Sequence, residues 1–536
     1  MLRDASTVED GSELRADVCI VGAGPVGIGL ARRLATGGAR VLLLESGGRR
    51  PGPRTRDAVR GTSDGYSYYH QHDVRARGFG GTSMVWPLDE GVRMRRLDPI
   101  DFEARDGIPG SGWPIKYEDL AAYWGPACEL LGLEPERWAP EEWAEPERPV
   151  HPIGDGARVE TTVFKLGKAH FGGYLDDLAA RDNVTVLLHA TVTELEQAEG
   201  GAVTRVDVTD GGGRRFAVTA KAYVLATSGI DNPRVLLNSR SRNPAGLGNG
   251  HDVVGRYFTD RLSVRTGHIE LTDPAGVASW GFYGIHRVGD HYVEGNLRLR
   301  DDVIRSEQLL NCTFFLLPRT RAFTAESIRS LATLAKGRGR TPQPEGTVGH
   351  LRNVVTGAPA LLAYAAERFR DAGARSAPVL ALRAQSEAAP NPESRITLTD
   401  DVDQFGMRRV NVRWRHSELD RRSIRRHQDI LDQELQRAGI GRLVNKMGDE
   451  HPPALMEGNH HLMGTTRMHA DPRHGVVDAD CRVHEAANLY VAGTSVFPTI
   501  GCSNPTVAAL ALALRLGDHL SDRLDAPAPE ITAPDA

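Results

Sequence analysis

Asp17-Val-Cys-Ile-Val-Gly22-Ala-Gly24-Pro25-Val-Gly27 is the stretch on which the fold of this chain turns. From Ala16 its first half is an apolar run of strand length, and Pro25 to Thr36 then carry a helical pattern leading to a second strand, Arg40 to Leu44. The glycines between strand and helix differ in what they do. Gly22 permits the tight turn, Gly24 lets the backbone approach a pyrophosphate, and Gly27 allows close packing of helix on sheet. The helix-terminal N–H groups face the anion. Glu45 closes the unit 18 residues past Gly27, where a carboxylate accepts bonds from both ribose hydroxyls and repels a 2′-phosphate. The stretch is therefore a dinucleotide-binding βαβ unit that disfavours NADP and leaves FAD and NAD both open.

Working outward, 536 residues exceed what one hydrophobic core usually organises, so two intertwined domains are expected. Lys and Arg number 65 against 70 Asp and Glu, a net charge of −5, and no basic stretch marks a nucleic-acid footprint. Cys19, Cys128, Cys312, Cys481 and Cys502 are odd in number, scattered and never spaced as CxxC, which argues against a disulfide framework or structural zinc and for reduced thiols in a cytoplasm. Met1 to Leu14 lacks the pattern of a secretory signal. No apolar stretch approaches the roughly 20 residues of a membrane span.

After the βαβ unit, Asp57 to Trp124 is rich in Gly, Pro, Arg and aromatic residues and reads as ordered loops. Strand patterns return at Val184 to His189, Val203 to Val208, Phe216 to Ala220 and Ala222 to Ala226. From Phe258 to Asp449 short strands alternate with helical stretches, including a charged helix around Asp420 to Ala438. Within this part, Lys336 to Gly346 is a flexible linker by composition, flanked by helix-like Ala325 to Ala335 and His350 to Asp371. It reads either as an exposed insertion or as an arm touching a partner or the substrate.

Four late blocks decide between cofactors: His461-Leu-Met-Gly-Thr-Thr-Arg-Met468, Val477-Asp-Ala-Asp-Cys-Arg-Val483, Asn488-Leu-Tyr-Val-Ala-Gly-Thr-Ser495 and Phe497-Pro-Thr-Ile-Gly-Cys-Ser-Asn-Pro-Thr506. They resemble the C-terminal half of the glucose-methanol-choline (GMC) flavoproteins. Gly80-Gly-Thr-Ser-Met-Val-Trp86, Asp101-Phe102, Ser111-Gly-Trp-Pro114, Asp231-Asn-Pro-Arg234, Val254-Gly-Arg-Tyr257 and Asn391-Pro-Glu-Ser-Arg395 extend the resemblance over nearly the whole chain. It implies an α/β fold with a discontinuous Rossmann-like FAD-binding domain over residues 14–95, 155–257 and 452–525. A second, α+β substrate-binding domain built on a β-sheet is expected over 96–154 and 258–451, with an insertion around 318–378. Residues 526–536, rich in Pro and Ala, are expected to form a disordered tail.

The resemblance places His461 and Asn504 on the substrate side of the flavin ring. The chemistry agrees: alcohol oxidation needs a base for the hydroxyl proton while hydride leaves carbon for flavin N5, and an imidazole is suited to that at neutral pH. The carboxamide of Asn504 suits holding the substrate oxygen. Pro505 then fits the first position of a helix running to about Leu520, whose positive end would stabilise charge on the reduced ring. The plain alternatives are a satisfied core histidine for His461 and a helix cap for Asn504. His460 reads as a supporting residue, and His469 and His474 as loop residues. Their spacing fits no common ligand pattern, so no metal is expected.

By the same resemblance, the FAD site comprises Gly22, Gly24, Pro25, Gly27, Glu45, Ser46, Gly80, Gly81, Thr82, Ser83, Val192, Gly493, Thr494, Asn504, Pro505 and Thr506. In pyranose oxidases a histidine two positions after the serine of the Gly80–Ser83 loop is bonded to the flavin; here that position is Val85, implying non-covalent FAD. The blocks look closest to pyranose oxidases and bacterial glycoside oxidases. The expected reaction is therefore oxidation of a secondary alcohol of a sugar, glycoside or polyol to a keto product, with O2 or a quinone-type acceptor reoxidising the flavin. Asp73, Arg75, Arg77, Tyr66, Tyr68, Tyr69 and Trp86 are either sugar contacts or framework of a long loop. A GMC dehydrogenase serving a quinone or cytochrome, and a non-catalytic flavin-binding protein, are the alternatives. A flavin monooxygenase would usually carry Gly-Asp where Gly493-Thr494 stands, and a pyridine-nucleotide reductase a second GxGxxG.

Overall fold

In the computed structural model, which describes residues 1–66, 68, 74–86, 91–154, 156–265, 267–320, 355, 378–448 and 456–525, the first apolar run forms the strand Glu13–Val21. Its Val18, Cys19 and Ile20 are fully buried because a parallel sheet is covered on both faces. The strands run in the order Leu2–Asp4, Val184–Leu188, Val41–Leu44, Glu13–Val21, Arg215–Leu225, Val203–Thr209, Thr191–Gln197, with Leu489–Val491 also on Arg215–Leu225. The first five and Leu489–Val491 pair in parallel; the remaining two are antiparallel. Helices Pro25–Thr36 and Thr506–Asp525 pack on each other, joining the two ends of the chain in one Rossmann-like layer.

Arg215–Leu225 is one strand where the sequence suggests two. The charge at Lys221 that divides the pattern is exposed and paired with Asp17 at 3.2 Å. The strand also changes partner along its length, from Val203–Thr209 at Arg215–Val218 to Leu489–Val491 at Tyr223–Leu225.

The second layer is an antiparallel sheet ordered Gly441–Val444, His268–Leu271, Pro378–Ser386, Cys312–Thr320, His291–Leu299, Val159–Gly167, Val92–Met94. Its last two strands correct the expected boundaries, which put 159–167 and 92–94 in the cofactor domain; which sheet a strand joins depends on distant partners, here His291–Leu299. A third sheet pairs Arg395–Val402 with Arg408–Trp414, and the latter in parallel with Gly61–Gly65. Gly61-Thr-Ser-Asp-Gly65 is exposed throughout and has no apolar pattern to reveal it. Cys312–Thr320 and Pro378–Ser386 pair out to Thr320 and Pro378, so the insertion leaves and rejoins the sheet at neighbouring positions; the linker, its flanking segments apart from Val355, and the tail lie outside the described residues. The expected charged helix is Glu418–Arg437, started by Ser417, whose Oγ accepts the Asp420 N–H while the Asp420 carboxylate accepts the Ser417 N–H.

Candidate active site

Where Glu13–Val21 ends, the chain turns through Gly22 at φ +105°. A Cβ there would stand 2.6 Å from the Ala226 carbonyl oxygen, and one at Gly27 would stand 2.0 Å from that of Gly22. A Cβ at Gly24 would meet nothing within 4 Å, because Gly24 faces a cavity of about 690 Å³. The Glu45 carboxylate, 5% exposed, accepts N–H bonds from Gly47 at 2.8 Å and Ala23 at 3.1 Å. Burial pushes its pKa up, while those N–H groups pull the other way.

The loop at 80–83 is pinned to this turn: Gly80, at φ +98°, donates its N–H to the Ala23 carbonyl at 2.8 Å, and Ser83 Oγ donates to the Gly80 carbonyl at 2.6 Å. Thr494 Oγ1 donates to the Leu462 carbonyl at 2.6 Å, tying the segment after Leu489–Val491 to His461. Of the site residues expected from the sequence, Gly27 and Gly80 hold the walls from behind and all the others line the cavity. The C-terminal helix is Thr506–Asp525, starting one residue later than expected and running on past Leu520, and Pro505 accepts the Ala509 N–H at 2.9 Å.

At the far end stands an arrangement the sequence did not announce. Arg261, with no exposure, brings Nη2 to 2.9 and 3.2 Å from the two ring nitrogens of His461 and donates from Nη1 to the Cys502 carbonyl at 3.0 Å. Gln385 Nε2 donates to that carbonyl at 2.7 Å. One guanidinium thus braces both His461 and the loop that carries Asn504, two residues on. Asp260 completes the group, accepting the backbone N–H groups of Arg261, Asn459 and His461 at 2.7, 2.9 and 3.1 Å. Its Oδ1 lies 3.7 Å from His461 Nδ1. Burial pushes the Asp260 pKa up to about 6, and burial, Arg261 and His460 hold the His461 imidazole well below 6.5. The ring is neutral at pH 7 and able to accept a proton.

Behind the Asn504 loop, a Cβ on Gly501 would lie 2.3 Å from Asp101 Oδ2. Asp101 is fully buried and accepts from Asp98 N–H and Asn311 Nδ2, both at 2.8 Å. Burial and the nearby Asp98 and Glu387 carboxylates push its pKa up.

Several loop residues hold framework. Tyr68, 2% exposed, donates its hydroxyl to Asp260 Oδ2 at 2.8 Å. Arg75 and Arg77 line the cavity but are ion-paired to Asp231 at 3.0 and 3.2 Å. Tyr66 stacks on His416 at 4.6 Å. Trp86 and Val85 line the cavity, while Tyr69 and Asp73 lie outside the described residues. The signal for Asp260 and Arg261 was present but faint: two adjacent opposite charges in the strand-length run Phe258 to Val264, whose Phe258, Leu262 and Val264 are apolar.

An open glycine turn, a buried carboxylate at the end of the second strand and a cavity within the size range of cofactor sites together fit a flavin dinucleotide. Residues 17–246 match the model of the FAD dependent oxidoreductase family, and residues 390–513 that of GMC oxidoreductase. The chain belongs to the GMC oxidoreductases. Like other GMC oxidoreductases it is an FAD-dependent enzyme acting on CH–OH groups. It is 24% identical to paromamine 6'-oxidase of Streptomyces fradiae over 93% of its own length and 90% of the relative's. To the fructose dehydrogenase large subunit of Gluconobacter japonicus it is 24% identical, over 95% and 98%. Its fold is similar to that of pyridoxine 4-oxidase from Mesorbium loti, with a TM-score of 0.52, 18% identity, and 94% and 99% of the two chains covered.

Proposed function

We propose that this GMC oxidoreductase oxidises a secondary alcohol of a sugar or glycoside to a keto sugar, with His461 taking the hydroxyl proton and Asn504 holding the substrate oxygen. Bound FAD, held by the glycine turn, Glu45 and the 80–83 loop, supplies the hydride acceptor. The observation that carries the reading is an imidazole and a carboxamide lining one cavity, with one guanidinium bonding both the imidazole and the Cys502 carbonyl of the loop that bears the carboxamide. A neutral ring offers a lone pair, and the buried setting removes competing water. As His461 becomes charged on taking the proton, Asp260 offsets part of the cost that Arg261 imposes. The sugar reading is supported by relatives named for sugar-like substrates. O2 or a quinone-type acceptor reoxidises the flavin. The wall at Val85 offers no nucleophile for attachment, so acid precipitation should release all the FAD, leaving a colourless pellet.

Anaerobic bleaching of the flavin across sugars, glycosides and simple alcohols tests the reading, with identification of the carbon that becomes a ketone. Bleaching by simple alcohols alone would move the enzyme to the dehydrogenases of other polyols and alcohols. A flavin that dithionite reduces and no alcohol bleaches would overturn the proposal.

A further inference from the structure

One wall of the cavity carries more positive charge than the described residues balance. Arg93, on Val92–Met94, and Arg383, on Pro378–Ser386, both line it. Their guanidinium carbons stand 5.4 and 4.4 Å from the centroid of Phe315, which is fully buried. Arg93 is neutralised by a two-pronged ion pair with Glu294. Arg383 has no carboxylate partner among the described residues, and its buried Nε has no hydrogen bond. Burial first, and then the repulsion of Arg93, push its pKa down to about 10, with Glu294 pulling the other way and Arg265 adding a lesser push. A largely buried guanidinium with no carboxylate paired to it is destabilising unless a ligand brings one.

Resting on the reading that a sugar-type alcohol is oxidised beside His461, we infer that the substrate carries an anionic group, a carboxylate or a phosphate, and that Arg383 receives it with Arg93 alongside. The fork of a guanidinium matches both groups in two-pronged fashion. Arg383 and Gln385 are two residues apart on one strand face, about 6.6 Å, and Gln385 bonds the Cys502 carbonyl of the Asn504 loop. Arg383 thus lines the same cavity as His461 and Asn504, on the strand that also braces the Asn504 loop.

Holoenzyme is tested with methyl glucoside, methyl glucuronide and glucose 6-phosphate, measuring the anaerobic flavin-reduction rate over the dissociation constant, with the binding of each also measured by calorimetry. Wild type should favour one anionic member over the neutral glucoside about 100-fold, and which one it favours separates carboxylate from phosphate. Arg383→Gln should collapse that ratio to within a few-fold, and Arg383→Lys should keep part of it. A neutral glucoside used as well as both acids, or a ratio that survives in Arg383→Gln, overturns the inference, as does proportional loss with all three compounds. If nothing bleaches the flavin, the proposed reaction fails but calorimetry still decides: acid binding that needs Arg383 upholds the charge reading, and equal or absent binding of acid and neutral sugar sinks it.

Discussion

The two ends of the cavity are built by opposite means. At the Gly22–Gly27 turn the wall is backbone: three glycines set shape by what they lack, and the buried charge of Glu45 is held by main-chain N–H groups. At the His461 end the wall is side chain, with Asp260, Arg261, Gln385 and Asp101 converging from distant segments. A backbone-built end is sensitive above all to volume, with Glu45 as the buried charge it must hold. A side-chain-built end is sensitive to charge, because each buried group is tolerable only through its partner.

The largest effect should come from volume at the backbone end. In Gly27→Ala the added carbon cannot coexist with the Gly22 carbonyl, at a cost of about 3 kcal/mol or more; the purified protein should be free of flavin, read from the ratio of visible to ultraviolet absorbance. A yellow Gly27→Ala protein would show the turn to be looser than its packing indicates. His461→Ala should do the reverse, retaining flavin while anaerobic reduction slows by about 100-fold or more. Near-normal reduction would remove His461 from the chemistry.

A smaller change is expected from Arg261→Gln, about tenfold in flavin reduction through loss of one charge-assisted brace. Its pH profile sharpens the contrast. Arg261 is one cause of the lowered His461 pKa, so removing it should raise that pKa and bring the loss of rate on acidification in at higher pH. An acid limb that stays in place would show that burial alone sets the base.

The smallest effect concerns stability. The folded Asp101 carboxyl titrates above its unfolded value of 3.8. The stability it contributes is thus full below about pH 4 and is lost as pH rises through the folded value. Asp101→Asn cannot ionise and should flatten the decline in unfolding free energy between about pH 5 and pH 8, measured by urea titration. An unchanged slope would place the titration elsewhere.

Legibility in the sequence follows the same division. The strand, turn and helix of the first βαβ unit were readable because the pattern lies within a few residues, Gly27 acting on the Gly22 carbonyl; the contacts of Gly22 with Ala226 and Thr227 were not in that run. His461 and Asn504 were readable because their surroundings resemble a family pattern. Tyr68 was not, since a tyrosine in a loop looks the same whether it meets a sugar or, as here, a carboxylate 192 residues away.

By itself the sequence determined the dinucleotide turn and the flavin family, and it singled out His461 and Asn504, which line the cavity, because each is carried in a short run of consecutive residues. Only the tertiary structure decided that Val159–Gly167 belongs to the second sheet, that Arg261 sits on an imidazole 200 positions later, and that Arg383 faces the cavity with no counter-ion among the described residues. The physical reason is that charge balance in a low-dielectric interior is a property of neighbours in space, and chain order does not record who those neighbours are.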